Sequence, residues 1–201
     1  MSKTVEYFVA PQSPWTYFGN ARLIAIAKEH HANIALKPTD MVKVFAASGG
    51  VPVAQRPAQR QAYRLAELAR WRDFLGMPLN LHPAFFPVSG EPGARLIIAA
   101  LQRDGTDAGL ALLGALGRAC WVEEKNIADS ATLVAVADSI GLKGTDLLEL
   151  SGTQAVHAEY QQNTEQAIAN NVFGVPWYRV DGEGYWGQDR LDFVERMLQN
   201  S

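Results

Sequence analysis

Thr4–Ala10, T-V-E-Y-F-V-A, runs into Pro11-Gln12-Ser13-Pro14, and the fold turns on that junction. The first stretch is rich in β-branched and aromatic residues and reads as a buried strand. The P-Q-S-P quartet breaks it. Beyond the break, Leu23, Ile24, Ile26 and Ala27 recur near helical spacing as far as His30, so a helix is expected to begin at about Pro14. Ser13 then stands at the N-cap, where its hydroxyl can satisfy a free backbone N–H, and Pro14 has no N–H to leave unpaired. Asn33–Lys37, N-I-A-L-K, alternates as a second strand. Strand, helix and strand of these lengths make a βαβ element with parallel strands and a right-handed crossover.

After Pro38 the texture changes. From Met41 to about His157 the periods are helical and strand signals are nearly absent. Gln59–Leu75 carries Tyr63, Leu65, Leu68, Trp71 and Leu75 as an amphipathic helix ended by Gly76-Met77-Pro78. Pro83, Pro87, Gly90 and Pro92 punctuate a loop. Helices are expected over 94–103, 107–123, 130–140 and 146–150, with Asp129-Ser130 and Thr145-Asp146 as starts. A long helix over 154–170 leads into Asn171-Val172-Phe173-Gly174. Val175–Val180 is again strand-like, Asp181–Gly184 reads as a turn, Tyr185-Trp186 opens a partner strand, and 189–198 closes the chain as a helix. The order is βαβ, a helical block, then αββα, an α/β architecture.

Three short segments stand at the junctions of this layout. Ser13-Pro14-Trp15-Thr16 follows the first strand, Gly174-Val175-Pro176 precedes the third, and Trp186-Gly187-Gln188-Asp189-Arg190 leads into the last helix. Arg70-Trp71 and Gly76-Met77-Pro78 lie between them. Taken in order over essentially the whole chain, these residues resemble the 2-hydroxychromene-2-carboxylate isomerase family and its relatives, the kappa-class glutathione transferases. The resemblance implies a thioredoxin-like fold of the DsbA-like type with a large all-helical insertion. Residues 1–42 and 158–201 would be the two halves of the thioredoxin-like domain and 43–157 the insertion.

The same resemblance implies a chemistry. Ser13 replaces the reactive cysteine of the redox relatives and would hydrogen-bond the sulfur of bound glutathione, while the N–H groups of the helix start favour its anionic form. Val175, before a cis Pro176, would pair its backbone with the tripeptide. Trp186, Gly187, Gln188 and Asp189 would hold the γ-glutamyl end, with Asp189 on its ammonium; Gln188 stands where kappa-class relatives usually carry serine. Lys43, Gln55, Arg56 and Phe85 would contact an aromatic carboxylate produced by ring opening. Phe45 stands where the isomerases can present lysine, and Phe85 replaces a hydroxylated aromatic, so the pocket is expected to be more apolar. The implied activity is a glutathione-dependent isomerisation, and the implied assembly is a homodimer. A kappa-like transferase or peroxidase acting on a hydrophobic electrophile, and a non-catalytic binding protein on the same fold, are the alternatives. A redox role is disfavoured, because Ser13 and Thr16 cannot form the disulfide that thiol exchange needs.

Composition bounds these readings. Lys and Arg number 18 against 21 Asp and Glu, a formal charge of −3, so no global field draws the protein to nucleic acid or an anionic membrane. The N-terminal residues lack the pattern of a secretory signal, and the most apolar stretch, Gly109–Ala119, is too short to span a bilayer, so a cytoplasmic location is expected. Cys120 is the single cysteine, which excludes an internal disulfide and a cysteine metal cluster, and its helical apolar setting reads as core. His30, His31, His82 and His157 lack the i, i+4 pairing of a metal site, so no metal is expected. The Arg/Glu pattern from Arg60 to Arg72 reads most simply as a solvated helix face.

Overall fold

The structure, a computed structural model, describes residues 2–199. Its centre is β1 (Thr4–Val9), followed by α1 (Pro14–Glu29) and β2 (Asn33–Pro38). The helical segment comprises α2 (Met41–Ser48), α3 (Ala58–Leu75), α4 (Glu91–Asp104), α5 (Thr106–Trp121), α6 (Ser130–Ser139), α7 (Gly144–Ser151) and α8 (Gln154–Ala169). The chain closes with β3 (Trp177–Val180), β4 (Glu183–Trp186) and α9 (Leu191–Gln199). The sheet order is β2-β1-β3-β4. β2 is parallel to β1, pairing Tyr7 with Leu36, whereas β3 is antiparallel to it, pairing Tyr7 with Tyr178.

β1 reads as nearly continuous apolar sequence because both faces of the sheet are covered. Val5, Tyr7 and Val9 enter a large core shared with Phe18 and Leu23 of α1, Leu96–Ala100 of α4 and Leu112–Leu116 of α5. Phe8 and Ala10 point the other way, into a smaller core with Met41 and Val44 of α2, Ala167 of α8 and Trp177. The period-2 alternation of one strand thus feeds two cores. The exception is Glu6, on the α8 side, which meets Lys37 of β2 at 2.7 Å and Arg179 of β3 directly opposite it.

Three elements differ in detail from expectation. β4 begins at Glu183, because Asp181 and Gly182, both at positive φ (51° and 90°), complete a two-residue turn by themselves. β3 begins at Trp177: Pro176 has no N–H for the ladder. A 3-10 turn over Gln188–Arg190 precedes α9, which starts at Leu191. The expected divisions at 42/43 and 157/158 fall inside α2 and α8, which pack on each other; Asp40, the N-cap of α2, donates its N–H to Thr164 Oγ1 at 3.0 Å.

The helical segment also braces the start of α1. Trp121, fully buried at the end of α5, donates its indole N–H to the Gln12 carbonyl at 3.2 Å, one residue before Ser13. Asn20 donates to the Leu110 carbonyl at 3.0 Å, and Tyr17 to that of Pro78 at 3.1 Å. The first turn of α1 is thereby held between the sheet and the helices.

Candidate active site

Ser13 is extended (φ −78°, ψ 123°) and caps α1, its Oγ accepting from the Thr16 N–H at 3.3 Å. Its own N–H donates to the Ala10 carbonyl at 3.0 Å, turning the chain sharply out of β1. From there the hydroxyl donates across the sheet end to the Val175 carbonyl at 3.4 Å, although 162 positions separate the two. The Val175–Pro176 peptide bond is cis. Among the described residues, the Val175 N–H donates to no backbone carbonyl.

The loop after β4 closes over the same place. The Gly187 N–H donates to the Pro176 carbonyl at 2.9 Å. Gly187 has φ 102° and ψ 147°, and a Cβ there would stand 2.4 Å from Asp189 Oδ1, so only glycine fits. Trp186 lies against Gly174, where a Cβ would meet its indole nitrogen at 2.4 Å, and edge-on to Phe173 at 4.9 Å.

Two adjoining cavities open here. One, of about 700 Å3, is lined by Trp15, Phe45, Phe173, Val175, residues 186–190, and Arg56, Arg60, Arg64, Glu67 and Trp71. The other, of about 180 Å3, is lined by Ser13, Trp15, Phe45, Arg56, Arg64, Phe86, Val175 and Trp186 among others. Shared walls at Trp15, Phe45, Arg56, Arg64, Val175 and Trp186 make them one cleft, with Ser13 in its narrow part.

Of the residues singled out in the sequence, Ser13, Val175, Trp186, Gly187, Gln188, Asp189 and Arg56 meet at this cleft, and Pro176 is buried directly behind it. Gln188 is only 1% exposed: its side-chain oxygen accepts from Arg22, its amide nitrogen finds no protein partner, and its Cβ packs on Gly19 of α1. Asp189 is exposed and pairs with Arg190 at 3.3 Å. Lys43, Gln55 and Phe85 are exposed and line neither cavity. The wall instead carries Phe45, two positions on from Lys43, Arg56, beside Gln55, and Phe86, beside Phe85.

The solvated-face reading of Arg60–Arg72 is corrected in part. Arg60 and Arg70 are exposed and Arg72 faces solvent beside Asp73, but Arg64 and Glu67 are half-buried and, with Arg60 and Trp71, line the larger cavity. Arg64 is half-buried, its guanidinium 5.1 Å from the Phe86 ring and 5.8 Å from that of Trp121. Burial, and then the neighbouring charge of Arg56, lower its pKa to about 10, leaving it a cation at neutral pH. Burial and then Arg60 lower that of Arg56. Arginine spacing carried this signal, but nothing local told which face met a cavity. Cys120 is 1% exposed, and burial pushes its thiol up to about 12, the behaviour of a core residue. Among the described residues, Glu29, His30 and Glu195 bring their ligand atoms within 4.8 Å of one another at the opposite end of α1, away from the cleft. No helix among the described residues is long and apolar enough to cross a membrane.

Known proteins resemble this chain over nearly its whole length. Residues 4–199 match the DSBA-like thioredoxin domain family. The chain is 30% identical to a 2-hydroxychromene-2-carboxylate isomerase of Sphingobium xenophagum, over 98% of this chain and 99% of that protein. It is 24% identical to glutathione S-transferase kappa 1 of Homo sapiens, over 98% of this chain and 92% of that protein. The solved structure of a 2-hydroxychromene-2-carboxylate isomerase superposes with a TM-score of 0.82 at 25% identity, covering 98% of this chain and 95% of that one. The chain therefore belongs to the DSBA-like thioredoxin domain family and, within it, to the family of the 2-hydroxychromene-2-carboxylate isomerases.

Proposed function

We propose that this protein is a glutathione-dependent isomerase of an aromatic ring-opening product of the 2-hydroxychromene-2-carboxylate type, in which Ser13 stabilises the glutathione thiolate. The observation that carries the reading is the Ser13 hydroxyl: it caps α1, lines the narrow cavity and lies 3.4 Å from the Val175 carbonyl. The cleft suits the tripeptide. An unpaired Val175 N–H beside a cis-proline offers a backbone edge to an extended peptide. Asp189 offers a carboxylate to an ammonium, and Arg60 offers a cation to a carboxylate, across one cavity of about 700 Å3.

When bound, glutathione supplies a soft thiolate nucleophile that adds reversibly to a conjugated double bond, and it is not consumed. The residues of the chain do the rest. The Thr16 N–H donates to Ser13 Oγ, which leaves the hydroxyl proton as the group Ser13 can offer outward. Its present acceptor, the Val175 carbonyl, is at the long limit of a hydrogen bond, so redirecting the proton toward an anion costs little. The partial positive charge at the start of α1 acts at the same point. Trp15, Phe45, Phe86 and Trp186 line the narrow cavity and offer flat surfaces to an aromatic ring.

Removing the Ser13 hydroxyl withdraws one charge-assisted hydrogen bond. In Ser13→Ala the bound glutathione thiol should titrate about one to two pKa units higher than in the wild type, read by thiolate absorbance. Isomerase turnover should fall about 10²- to 10³-fold, in the range of other preorganised donors. An unshifted thiol would sink the assignment. Phe45 and Phe173 on the walls favour one second reading, a kappa-like transferase for an apolar electrophile. Mass balance separates the two: glutathione consumed in step with substrate would replace the isomerase with the transferase.

A further inference from the structure

Arg64 has the surroundings of a receptor without its ligand. Among the described residues it forms no ion pair and no hydrogen bond, although it is half-buried. The acids nearest at hand in the cleft are engaged elsewhere, Glu67 with Arg70 and Asp189 with Arg190. Arg56, a like charge that lines the same two cavities, uses its Nε–H on the Val51 carbonyl at 2.8 Å and also lacks an anionic partner among the described residues. Two partly buried guanidiniums on one cleft, with no counter-charge, disfavour the empty site. A carboxylate between them would relieve that cost and satisfy the planar fork that arginine presents. Cation–π contacts with Phe86 and Trp121 hold the Arg64 guanidinium in place, and the small cavity it lines also contains Ser13.

We propose that Arg64 is the specificity-determining residue of the cleft: seated on Phe86 and Trp121 and lining the cleft with Arg56, it takes the carboxylate of the electrophilic substrate in the narrow cavity beside Ser13. That the carboxylate belongs to the second substrate rests on the isomerase reading; the anion site does not. The aromatic part of such an acid lies against Trp15 and Phe45, and its conjugated carbons lie toward Ser13. Lys43, exposed and outside both cavities, has no part in it.

The test uses trans-cinnamate, a planar aryl-conjugated acid, and its neutral amide as probes. Each is titrated by calorimetry into wild type, Arg64→Met and Arg64→Lys, with and without saturating glutathione. Wild type should prefer acid to amide by at least about tenfold, as one charge-assisted pair implies. Arg64→Met should erase that ratio while glutathione affinity and thermal midpoint stay as in wild type, and Arg64→Lys should keep part of it. A wild type that binds acid and amide alike overturns the proposal, as does an acid preference that survives Arg64→Met. Parallel loss of glutathione affinity in Arg64→Met would assign Arg64 to the tripeptide's site instead. If Arg64→Met fails to fold, Arg64→Lys decides: equal weakening of acid and amide means a packing role and overturns the proposal. A wild type that discriminates acid from amide yet binds no glutathione would sink the isomerase reading and leave the anion site standing.

Discussion

Ser13 holds the helix start and Cys120 lies in the core, so among the described residues no thiol lines the cleft. The helix start that would activate a cysteine carries a hydroxyl, and the one cysteine is sealed inside α5 with its thiol pushed up to about 12 by burial. Restoring sulfur at the first position should restore only half of the redox chemistry. The thiol introduced by Ser13→Cys, under the α1 N-terminus, should react with iodoacetamide at pH 7 and titrate below about 8.5. Cys120 should remain unmodified in the native protein, which peptide mapping checks. Its effect on stability has a definite sign. With a folded pKa near 12 against 9.0 when free, the buried thiol favours the native state below pH 9, and that contribution is lost as the pH rises from 9 towards 12.

At the scale of elements, the connection from β4 to α9 is the most constrained segment of the cleft. Gly187 combines φ 102° and ψ 147° with an N–H bonded to the Pro176 carbonyl and Asp189 Oδ1 close above it. Gly187→Ala should therefore cost about 1–3 kcal/mol, the range for a residue forced into a glycine-only conformation, visible as a lower thermal midpoint. It should also weaken glutathione in calorimetry, because the loop that presents Asp189 must shift. Packing between helices imposes a similar limit on α5: a Cβ at Gly109 would stand 2.6 Å from the Leu101 side chain of α4. Gly109→Val should destabilise by about 1–3 kcal/mol through overpacking, measured by denaturant unfolding, with glutathione binding retained. The arginines of α3 show why an element can be read correctly and its role missed. The periodicity of Ala58–Leu75 tells which residues share a face, and Arg64 looks as solvated as Arg70 until Phe86 and Trp121 are folded against it.

For the molecule as a whole, the sheet is bound across its strands by one buried-edge ion cluster. Burial alone would raise the Glu6 carboxyl, but hydrogen bonds from Lys37 and Arg179 outweigh it and hold the group below its ordinary 4.5. A depressed carboxylate stabilises the fold above pH 4.5 and ceases to do so as pH falls through its folded value. Glu6→Gln should accordingly lower stability at pH 7 by about 1 kcal/mol, the scale of a partly solvated pair. It should also flatten the loss of stability below pH 4.5, as denaturant unfolding at several pH values would show.

Strand order along the chain, the βαβ start, the Ser13 cap, the Val175-Pro176 loop and the glycine before Gln188 were determined by the sequence itself, because caps, turns and alternation are local consequences of residue type. The rest of the cleft was not. Phe86 rather than Phe85, the outward position of Lys43 and Gln55, the inward turn of Gln188 and the place of Arg64 on the wall are tertiary decisions. Each depends on which distant segment a side chain meets, and the cleft is assembled from residues between 10 and 190 that come together only in the folded chain.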